Sequence, residues 1–226
     1  MIQVKNLKKA FKDGERETHV LKGIDFEAQD GEFIAIMGRS GAGKSTFMYQ
    51  VSLLDEPTSG EIIIDGVHTH TMKADEKTRY RLNQLGYVFQ DYALLPDLTA
   101  LENVALPLLM QGINKVQAYK TSSAALERMG LGHRLNNVPS QLSGGEQQRV
   151  SITRAIAHKP RILFADEPTA NLDNESSHKV MEIFKELHAA GQTIIMVTHE
   201  EEFGKMAERI IRLDDGKIVS HGSKEK

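Results

Sequence analysis

The segment GRSGAGKST (38–46) constrains the fold of this chain more than any other feature of its sequence. It follows the apolar run FIAIM (33–37) and precedes a helical pattern at 44–54. The pattern G-x-x-x-x-G-K-[ST] is typical of a loop whose glycines let backbone N–H groups turn inward around a phosphate at the start of a helix. An ordinary glycine-rich turn would not need the Lys and the Ser. The segment therefore predicts a phosphate-binding loop between a strand and a helix.

Short β-branched runs separated by turn signals indicate strands along the whole chain. They lie at 2–7, 24–28, 33–37, 61–65, 86–90, 161–166 and 193–199, with a closing pair around Asp215-Gly216. The closing pair predicts a hairpin with a type I′ turn. Helical patterns at 44–54, 146–158 and 174–190 alternate with the strands. This alternation favours an α/β fold that binds ligands at the carboxyl ends of parallel strands.

Residues 91 to about 145 interrupt this alternation. No strand-like run occurs there, and LENVALPLLMQ and VQAYKTSSAALERMG have helical patterns. We expect a single domain over 1–226, with a helical subdomain inserted at about 91–158.

Composition excludes several classes of protein. The net charge is 28 − 31 = −3 with both signs mixed along the chain, so nucleic acid is not an expected partner. Cys is absent, which rules out disulfides and thiolate metal sites. The longest uncharged runs, 103–114 and 187–199, are shorter than the roughly 18 apolar residues of a membrane span. The N-terminal run lacks the apolar core of a signal peptide, so we expect a cytoplasmic location.

The segment RILFADE (161–167) places two carboxylates at the end of an apolar strand. Asp166 in this position suits Mg²⁺, and Glu167 can polarise a water for attack. Acidic pairs are also common in solvated turns, so the segment becomes informative only in combination with 38–46.

The segment QLSGGEQQR (141–149) narrows the class of protein further. Ser143 and Glu146 fit a capping box at the start of a helix. The capping box does not explain the consecutive glycines Gly144 and Gly145. Without side chains they leave helix N–H groups bare, which predicts a second place where a phosphate approaches the backbone.

Together these segments resemble the nucleotide-binding subunit of an ABC transporter. LSGGEQQR lies between the loop at 38–46 and FADEPTANLD, and the resemblance extends over essentially the whole chain. It implies a RecA-like P-loop core with an antiparallel N-terminal β subdomain and an inserted helical subdomain. It also implies ATP and Mg²⁺ as cofactors, a homodimer with ATP sandwiched between the subunits, and an integral-membrane permease that holds the chain at the inner face of the cell membrane.

The resemblance assigns implied roles to individual residues. The residues implied to bind the nucleotide phosphates are Gly38, Arg39, Ser40, Gly41, Ala42, Gly43, Lys44, Ser45 and Thr46. Those implied to hold Mg²⁺ are Ser45, Gln90 and Asp166. Glu167 is implied as the general base, His199 as a contact of the γ-phosphate, and Gln90 as the link from metal and water to the helical subdomain.

Further implied roles concern the base and the second subunit. Phe11 is implied to stack on adenine, although it also fits a core position of the first sheet. The residues implied to act across the dimer are Ser143, Gly144, Gly145 and Asp173. The pair His68 and His70 resembles a metal-binding spacing, but a solvated loop explains it better because no third ligand is near in sequence.

The stretch FQDYALLPDLTALENVALPLLMQG and the loop DGERETHVLKGIDF resemble most the ATPases of the lipoprotein-releasing (LolD-like) and macrolide-efflux (MacB-like) group. The cell-division (FtsE-like) ATPase is a close relative. A non-transporting ATPase that signals through a membrane partner to a cell-wall enzyme therefore stays open as an alternative. The chain departs from the group in carrying Phe11 for a common Tyr and ANLD for GNLD.

An apolar stretch follows Gln90. It comprises Tyr92, Leu94, Leu95, Pro96, Leu98 and Leu101. Because exposed apolar patches usually mark interaction sites, we expect this stretch to form the groove for a cytoplasmic helix of the permease. Several of the leucines also fit the interior of the helical subdomain.

Overall fold

The computed structural model describes residues 2–14 and 16–223. The strands are β1 (Ile2–Asp13), β2 (Arg16–Ala28), β3 (Phe33–Met37), β4 (Ser59–Ile64), β5 (Val67–His68), β6 (Leu85–Val88), β7 (Ile162–Asp166), β8 (Thr193–Val197), β9 (Arg209–Asp214) and β10 (Lys217–Ser223). The helices are α1 (Lys44–Val51), α2 (Ala74–Gln84), α3 (Ala100–Met110), α4 (Lys115–Arg128), α5 (Gly144–Ile156), α6 (Asn174–Ala189) and α7 (Glu201–Gly204). Two compact units are formed, one by the chain up to Arg79 together with the chain from Leu187 onward, the other by Tyr80–Glu186. The prediction of one domain with an insertion at 91–158 stays a prediction.

The first unit contains the antiparallel sheet that was expected near the N-terminus. Its strand order is β2-β1-β4-β5. The β1–β2 hairpin is longer than the sequence indicated. Its outer part could not be predicted, because the side chains of residues 11–14 and 16–19 are exposed and carry no apolar periodicity. Backbone pairing alone extends it.

Parallel strands form the other sheet of the first unit. β3 lies between β8 and β9 and is parallel to both, and β10 is antiparallel to β9. All five residues of β3 and of β8 are buried, which explains their continuous apolar runs. Phe47 of α1 packs edge-on against Phe26, with 5.2 Å between ring centroids, and so fixes the helix that follows β3. The turn at Asp215 (φ 43°) and Gly216 (φ 74°) confirms the type I′ hairpin.

The second unit contains the parallel pair β6–β7 and a helical cluster of α3, α4 and α5. Thr99 and Glu102 form a capping box that starts α3, and Asn114 caps α4 through a 3.0 Å bond from the Gln117 N–H. The apolar core of the cluster consists of Ala100, Val104, Leu126, Leu131, Leu142 and Val150. Helix α2, which has no buried residue, was not predicted, since a helix without an apolar face gives no periodic signal.

These elements confirm the predicted α/β class with an antiparallel N-terminal sheet. In the described part of the chain, no helix has the length and apolar character needed to cross a bilayer.

Candidate functional site

The loop at 38–46 joins β3 to α1, as predicted. Gly38 has no room for a side chain, and Gly43 combines a close neighbour with a left-handed backbone (φ 98°). A Cβ on Gly38 would lie 2.2 Å from the Leu213 carbonyl oxygen, and one on Gly43 would lie 3.0 Å from Leu21 Cδ2. A Cβ on Gly41 would meet nothing within 4 Å, so that glycine is needed for its left-handed backbone (φ 78°). The loop is therefore built both by close packing and by backbone conformation.

Lys44 is the first residue of α1 and its side chain folds back over the loop. Nζ donates to the carbonyl oxygens of Gly38 at 3.0 Å and Arg39 at 3.2 Å. The residue is only 9% exposed. A buried ammonium beside the positive end of a helix favours an anionic ligand at this place. Of the other loop residues, Arg39 and Ser40 are exposed, Ala42 is buried, and Ser45 and Thr46 are half-buried.

His199 emerges at the same sheet edge as the loop. It follows β8, whose Val197 pairs with Ile36 of β3. The Thr198 N–H donates to the Ile36 carbonyl at 3.1 Å, which extends the pairing to the residue before His199. Phe11 lies on β1 and is 47% exposed, so the alternative that it fills the core of the sheet is wrong.

The second unit brings Gln90, Asp166 and Glu167 to one edge of its parallel strands. Val88 of β6 pairs with Ala165 of β7, so the residues that follow both strands lie at the same edge. Asp166 is 4% exposed and Glu167 9% exposed. Glu167 has a left-handed backbone with φ 47°, a conformation that costs a non-glycine residue roughly 1–3 kcal/mol and is typical of functional sites.

Two hydrogen-bonding residues of this unit were not identified from the sequence. Asn171 donates from Nδ2 to the Gln90 carbonyl at 3.1 Å and to Asp91 Oδ1 at 3.3 Å. Gln148, which is fully buried, donates from Nε2 to the Pro168 carbonyl at 2.7 Å. Asn171 lies in the segment ANLD and Gln148 in the segment GEQQR. Membership of these segments is the only feature of the sequence that could have drawn attention to them.

Ser143 and Glu146 form the capping box that the sequence predicted at the start of α5. Ser143 Oγ accepts from the Glu146 N–H at 3.3 Å, and Glu146 Oε2 accepts from the Ser143 N–H at 2.8 Å. Arg134 Nε adds an ion pair at 2.8 Å to Glu146 Oε1. The hydrogen bond from the Ser143 N–H, with help from Arg134, holds the pKa of Glu146 below its ordinary value.

The paired glycines at the start of α5 also have a packing role that the sequence did not indicate. A Cβ on Gly145 would lie 2.9 Å from Ser176 Oγ, and one on Gly144 would lie 3.0 Å from the Tyr92 hydroxyl oxygen. Gly145 is buried. Bare helix N–H groups are therefore not the whole reason for these glycines, since side chains there would force close neighbours within the same unit to shift.

Asp173 caps the first turn of α6. Its carboxylate accepts from the Ser176 N–H at 2.9 Å and from Ser176 Oγ at 2.8 Å. These hydrogen bonds, the backbone one first, hold the pKa of Asp173 below its ordinary value. Its side chain is thus engaged within its own chain.

The apolar stretch after Gln90 is divided between core and surface. Leu94 and Leu101 pack against the helical core, so the expectation that they form an exposed groove is wrong. Leu95 is 43% exposed. A separate groove with a volume of about 250 Å³ lies in the same unit, and its lining includes Leu82, Tyr87, Phe89, Leu106, Met110 and Arg154. That the permease binds in a groove stays a prediction.

One wall of this groove includes Ala93, which forms a strained segment with Tyr92. Tyr92 and Ala93 both have left-handed backbones, with φ 59° and 50°. The Arg154 guanidinium donates to the carbonyls of Ala93 at 2.6 Å and Tyr92 at 2.9 Å, and Ser151 Oγ also donates to Tyr92 at 2.9 Å. Burial lowers the pKa of Arg154. The strain at 92–93 is thus offset by bonds to α5.

His68 and His70 are exposed, with ring centroids 5.5 Å apart. Across residues 2–14 and 16–223, no group of three His, Asp or Glu side chains is arranged to hold a metal ion.

The strand arrangement, the loop at 38–46 and the capped segment at 141–149 define an ATP-binding cassette, which is a class of ATPase. The model of the ABC transporter family matches residues 21–170, and the chain belongs to that family.

Relatives and a solved structure place the chain more narrowly. It is 43% identical to the lipoprotein-releasing system ATP-binding protein LolD of Aquifex aeolicus, over 97% of this chain and 96% of that protein. It is 46% identical to the macrolide export ATP-binding/permease protein MacB of Aggregatibacter actinomycetemcomitans, over 99% of this chain but only 35% of that protein. The structure of a dimeric post-hydrolysis state of the cassette MJ0796 bound to ADP and Pi superposes with a TM-score of 0.94, at 40% identity and full coverage of both chains. The chain is therefore an ABC cassette close to LolD and to the ATPase part of MacB.

Proposed function

We propose that this ATPase drives an integral-membrane permease of the lipoprotein-release or macrolide-efflux type. The observation that carries the ATPase part of the proposal is the loop at 38–46, in which Lys44 lies folded over the loop carbonyls at the start of α1. The similarity to LolD and to MacB, whose name includes a permease, supports the type of partner. The chain would then work at the inner face of the cell membrane.

The nucleotide phosphates are assigned to residues 38–46. Gly41 has the left-handed backbone (φ 78°) that lets the loop curl around a phosphate, and Lys44 supplies the cation that meets the β- and γ-phosphates. Phe11 is assigned to the adenine, because an exposed aromatic ring on β1 is available for stacking. His199 is assigned to the γ-phosphate.

Mg²⁺ and the attacking water are assigned to side chains with hard oxygen donors. The hydroxyl of Ser45, the amide of Gln90 and the carboxylate of Asp166 are ligands of the kind that Mg²⁺ prefers, and the bound metal would offset phosphate charge. Glu167 is assigned as the general base. Its low exposure and fixed backbone suit a carboxylate that must orient one water.

A head-to-tail homodimer is proposed, because Ser143, Gly144 and Gly145 form a second glycine-containing helix start in the chain, besides the loop at 38–46. The dimeric structure of MJ0796 supports this assembly. In it, Ser143, Gly144, Gly145 and Asp173 would face the nucleotide of the other subunit.

The catalytic assignment is tested with two variants. Glu167→Gln should retain ATP affinity and lose turnover by roughly 10²- to 10⁴-fold. Lys44→Ala should weaken ATP binding itself. Calorimetric titration and phosphate release measure the two quantities. Wild-type turnover in Glu167→Gln would overturn the assignment.

The dimer is tested by size-exclusion chromatography of Glu167→Gln with and without ATP. We expect a dimer with ATP and a monomer without it. Adding Ser143→Arg should abolish the shift, because the side chain occupies the space that a γ-phosphate requires. A dimer that is indifferent to both ATP and Ser143 would contradict the sandwich.

A further pair of variants tests whether the permease binds at the groove. Met110, 62% exposed at the groove, is changed to Glu, and Val116, 81% exposed on α4, is changed to Glu as the matched control. The chain is isolated from its native membranes in mild detergent and the co-purifying protein is identified. Only Met110→Glu should lose the permease. A partner that belongs to cell-wall hydrolysis would instead support the non-transporting alternative.

A further inference from the structure

The ammonium group of Lys9 makes short polar contacts with Asp55 and with the backbone of Glu56. Nζ lies 2.9 Å from Asp55 Oδ1 and 2.7 Å from Asp55 Oδ2, and it donates to the Glu56 carbonyl at 2.6 Å. The Lys9 side chain is only 12% exposed. Because a shielded ammonium requires a compensating anion, Asp55 determines where Nζ lies.

Asp55 is in turn held by the helix that starts at Lys44. Gln50 of α1 is fully buried and donates from Nε2 to Asp55 Oδ2 at 2.8 Å, and the Glu56 N–H donates to Asp55 Oδ1 at 2.7 Å. Burial alone would raise the pKa of Asp55, but the hydrogen bonds from Lys9, Glu56 and Gln50 outweigh it and lower that pKa. The carboxylate is therefore a charged link between α1 and β1.

The same ammonium contacts Phe11. Lys9 Nζ lies 5.1 Å from the centroid of the Phe11 ring, within the range of a cation–π contact. Thr58 adds a second attachment of the strand, since its hydroxyl oxygen accepts from the Ala10 N–H at 3.0 Å and its own N–H donates to the Lys8 carbonyl at 2.9 Å. The exposed Phe11 ring, near the end of β1, is thus held in place by contacts that lead back to α1 and to Thr58.

We infer that Lys9 and Asp55 are positioning residues that hold the Phe11 ring in place for the nucleotide base. The inference rests on the proposed nucleotide site. The chain of contacts runs from α1 through Gln50 and Asp55 to Lys9 and the ring, so the helix that carries the phosphate-binding lysine also sets the place of the ring. A cation held against a ring leaves the rest of the ring surface available to a purine.

The test separates binding of the base from binding of the phosphates. Mg-ATP and inorganic tripolyphosphate, which has no base, are titrated into wild type, Lys9→Gln, Asp55→Asn and Phe11→Ala by calorimetry. Lys9→Gln and Asp55→Asn should weaken ATP binding roughly fivefold, the loss of about one cation–π contact, and leave tripolyphosphate binding within a factor of about two. Lys9→Arg should restore ATP affinity, because it keeps the cation and the ion pair.

A double-mutant cycle distinguishes positioning from general stability. In the Phe11→Ala background, Lys9→Gln should have no further effect on ATP affinity. Lys5→Gln, which removes an exposed charge from the same strand, is the matched control and should change neither ligand. An equal loss of ATP and tripolyphosphate affinity, or unchanged ATP affinity, would overturn the inference. Failure of the wild type to bind either ligand would instead overturn the proposed nucleotide site.

Discussion

The side-chain amide of Asn171 donates to the backbone carbonyl of Gln90 over 3.1 Å, and so ties the segment after β7 to the segment after β6. The Tyr92 hydroxyl donates to the Asn171 carbonyl at 3.3 Å, which makes the connection reciprocal. The place of Gln90 therefore depends on a residue that carries no charge and that does not itself belong to the assigned catalytic set.

Asn171→Ala should slow ATP turnover about 2- to 10-fold, the value of one hydrogen bond, while leaving ATP affinity nearly unchanged. The reason is that Gln90 loses its anchor while the phosphate-binding loop is untouched. Steady-state phosphate release and equilibrium titration measure the two effects, with the exposed Asn136→Ala as control. A change in affinity without a change in turnover would show that Asn171 does not act through Gln90.

Leu94 and Leu95 should respond differently to the same substitution. Leu94→Glu buries a charge against the helical core, whereas Leu95→Glu lies at a surface that is already 43% exposed. A fully buried leucine is worth roughly 1.5–3 kcal/mol and Leu94 is partly buried, so Leu94→Glu should lower Tm by a few degrees and Leu95→Glu should leave it close to wild type. Thermal unfolding followed by circular dichroism checks this. Equal melting temperatures would mean that Leu94 does not pack as described.

Gly145→Ala should destabilise the chain despite the roughly 1 kcal/mol that alanine gains in a helix. The added Cβ would lie 2.9 Å from Ser176 Oγ and 3.1 Å from Ser176 Cβ, and overpacking of this kind costs roughly 1–3 kcal/mol. Combining it with Ser176→Gly should recover part of the loss, which urea denaturation of the four members of the cycle measures. Additive losses would contradict a steric origin.

The capping box at α5 should make stability depend on pH through Glu146. Its pKa is lowered in the folded chain, first by the Ser143 N–H and then by Arg134, so its contribution is present above the unfolded-state pKa of about 4.3. That contribution is lost as pH falls through the folded-state pKa. The difference in unfolding free energy between wild type and Glu146→Gln should be constant above about pH 6 and shrink below about pH 4. Urea denaturation of both proteins between about pH 4 and pH 6 measures this difference in unfolding free energy. Glu127→Gln, at an exposed position on α4, is the control. A difference that does not change with pH would count against a role of the Glu146 carboxylate in the cap.

The predictable parts of the fold are the elements that are determined by residues close together in the sequence. The strand before Gly38, the helix from Lys44 and the Asp215-Gly216 turn each follow from a short run of residues with a fixed backbone requirement. The outer part of the β1–β2 hairpin and helix α2 were not predictable, because exposed elements carry no apolar period.

The positions of the candidate site residues were predictable, and their contacts were less so. Glu167 and His199 were placed at strand ends correctly, since parallel strands bring their carboxyl ends together. The partners of Asn171 and Gln148 are backbone carbonyls distant in sequence, and a carbonyl has no sequence signature. Likewise, the reason for Gly145 lies at Ser176, which the motif does not contain.

Arg154 and Ser151 hold the left-handed turn at Tyr92 and Ala93 through backbone carbonyls rather than through side chains. These bonds do not involve the side chain at position 93, although the left-handed backbone there disfavours bulky and β-branched residues. Substitutions on the groove surface can then accumulate while the bonds that shape its wall stay the same. The consequence is evolutionary: this surface can be altered by a few substitutions without rebuilding the part that hydrolyses ATP.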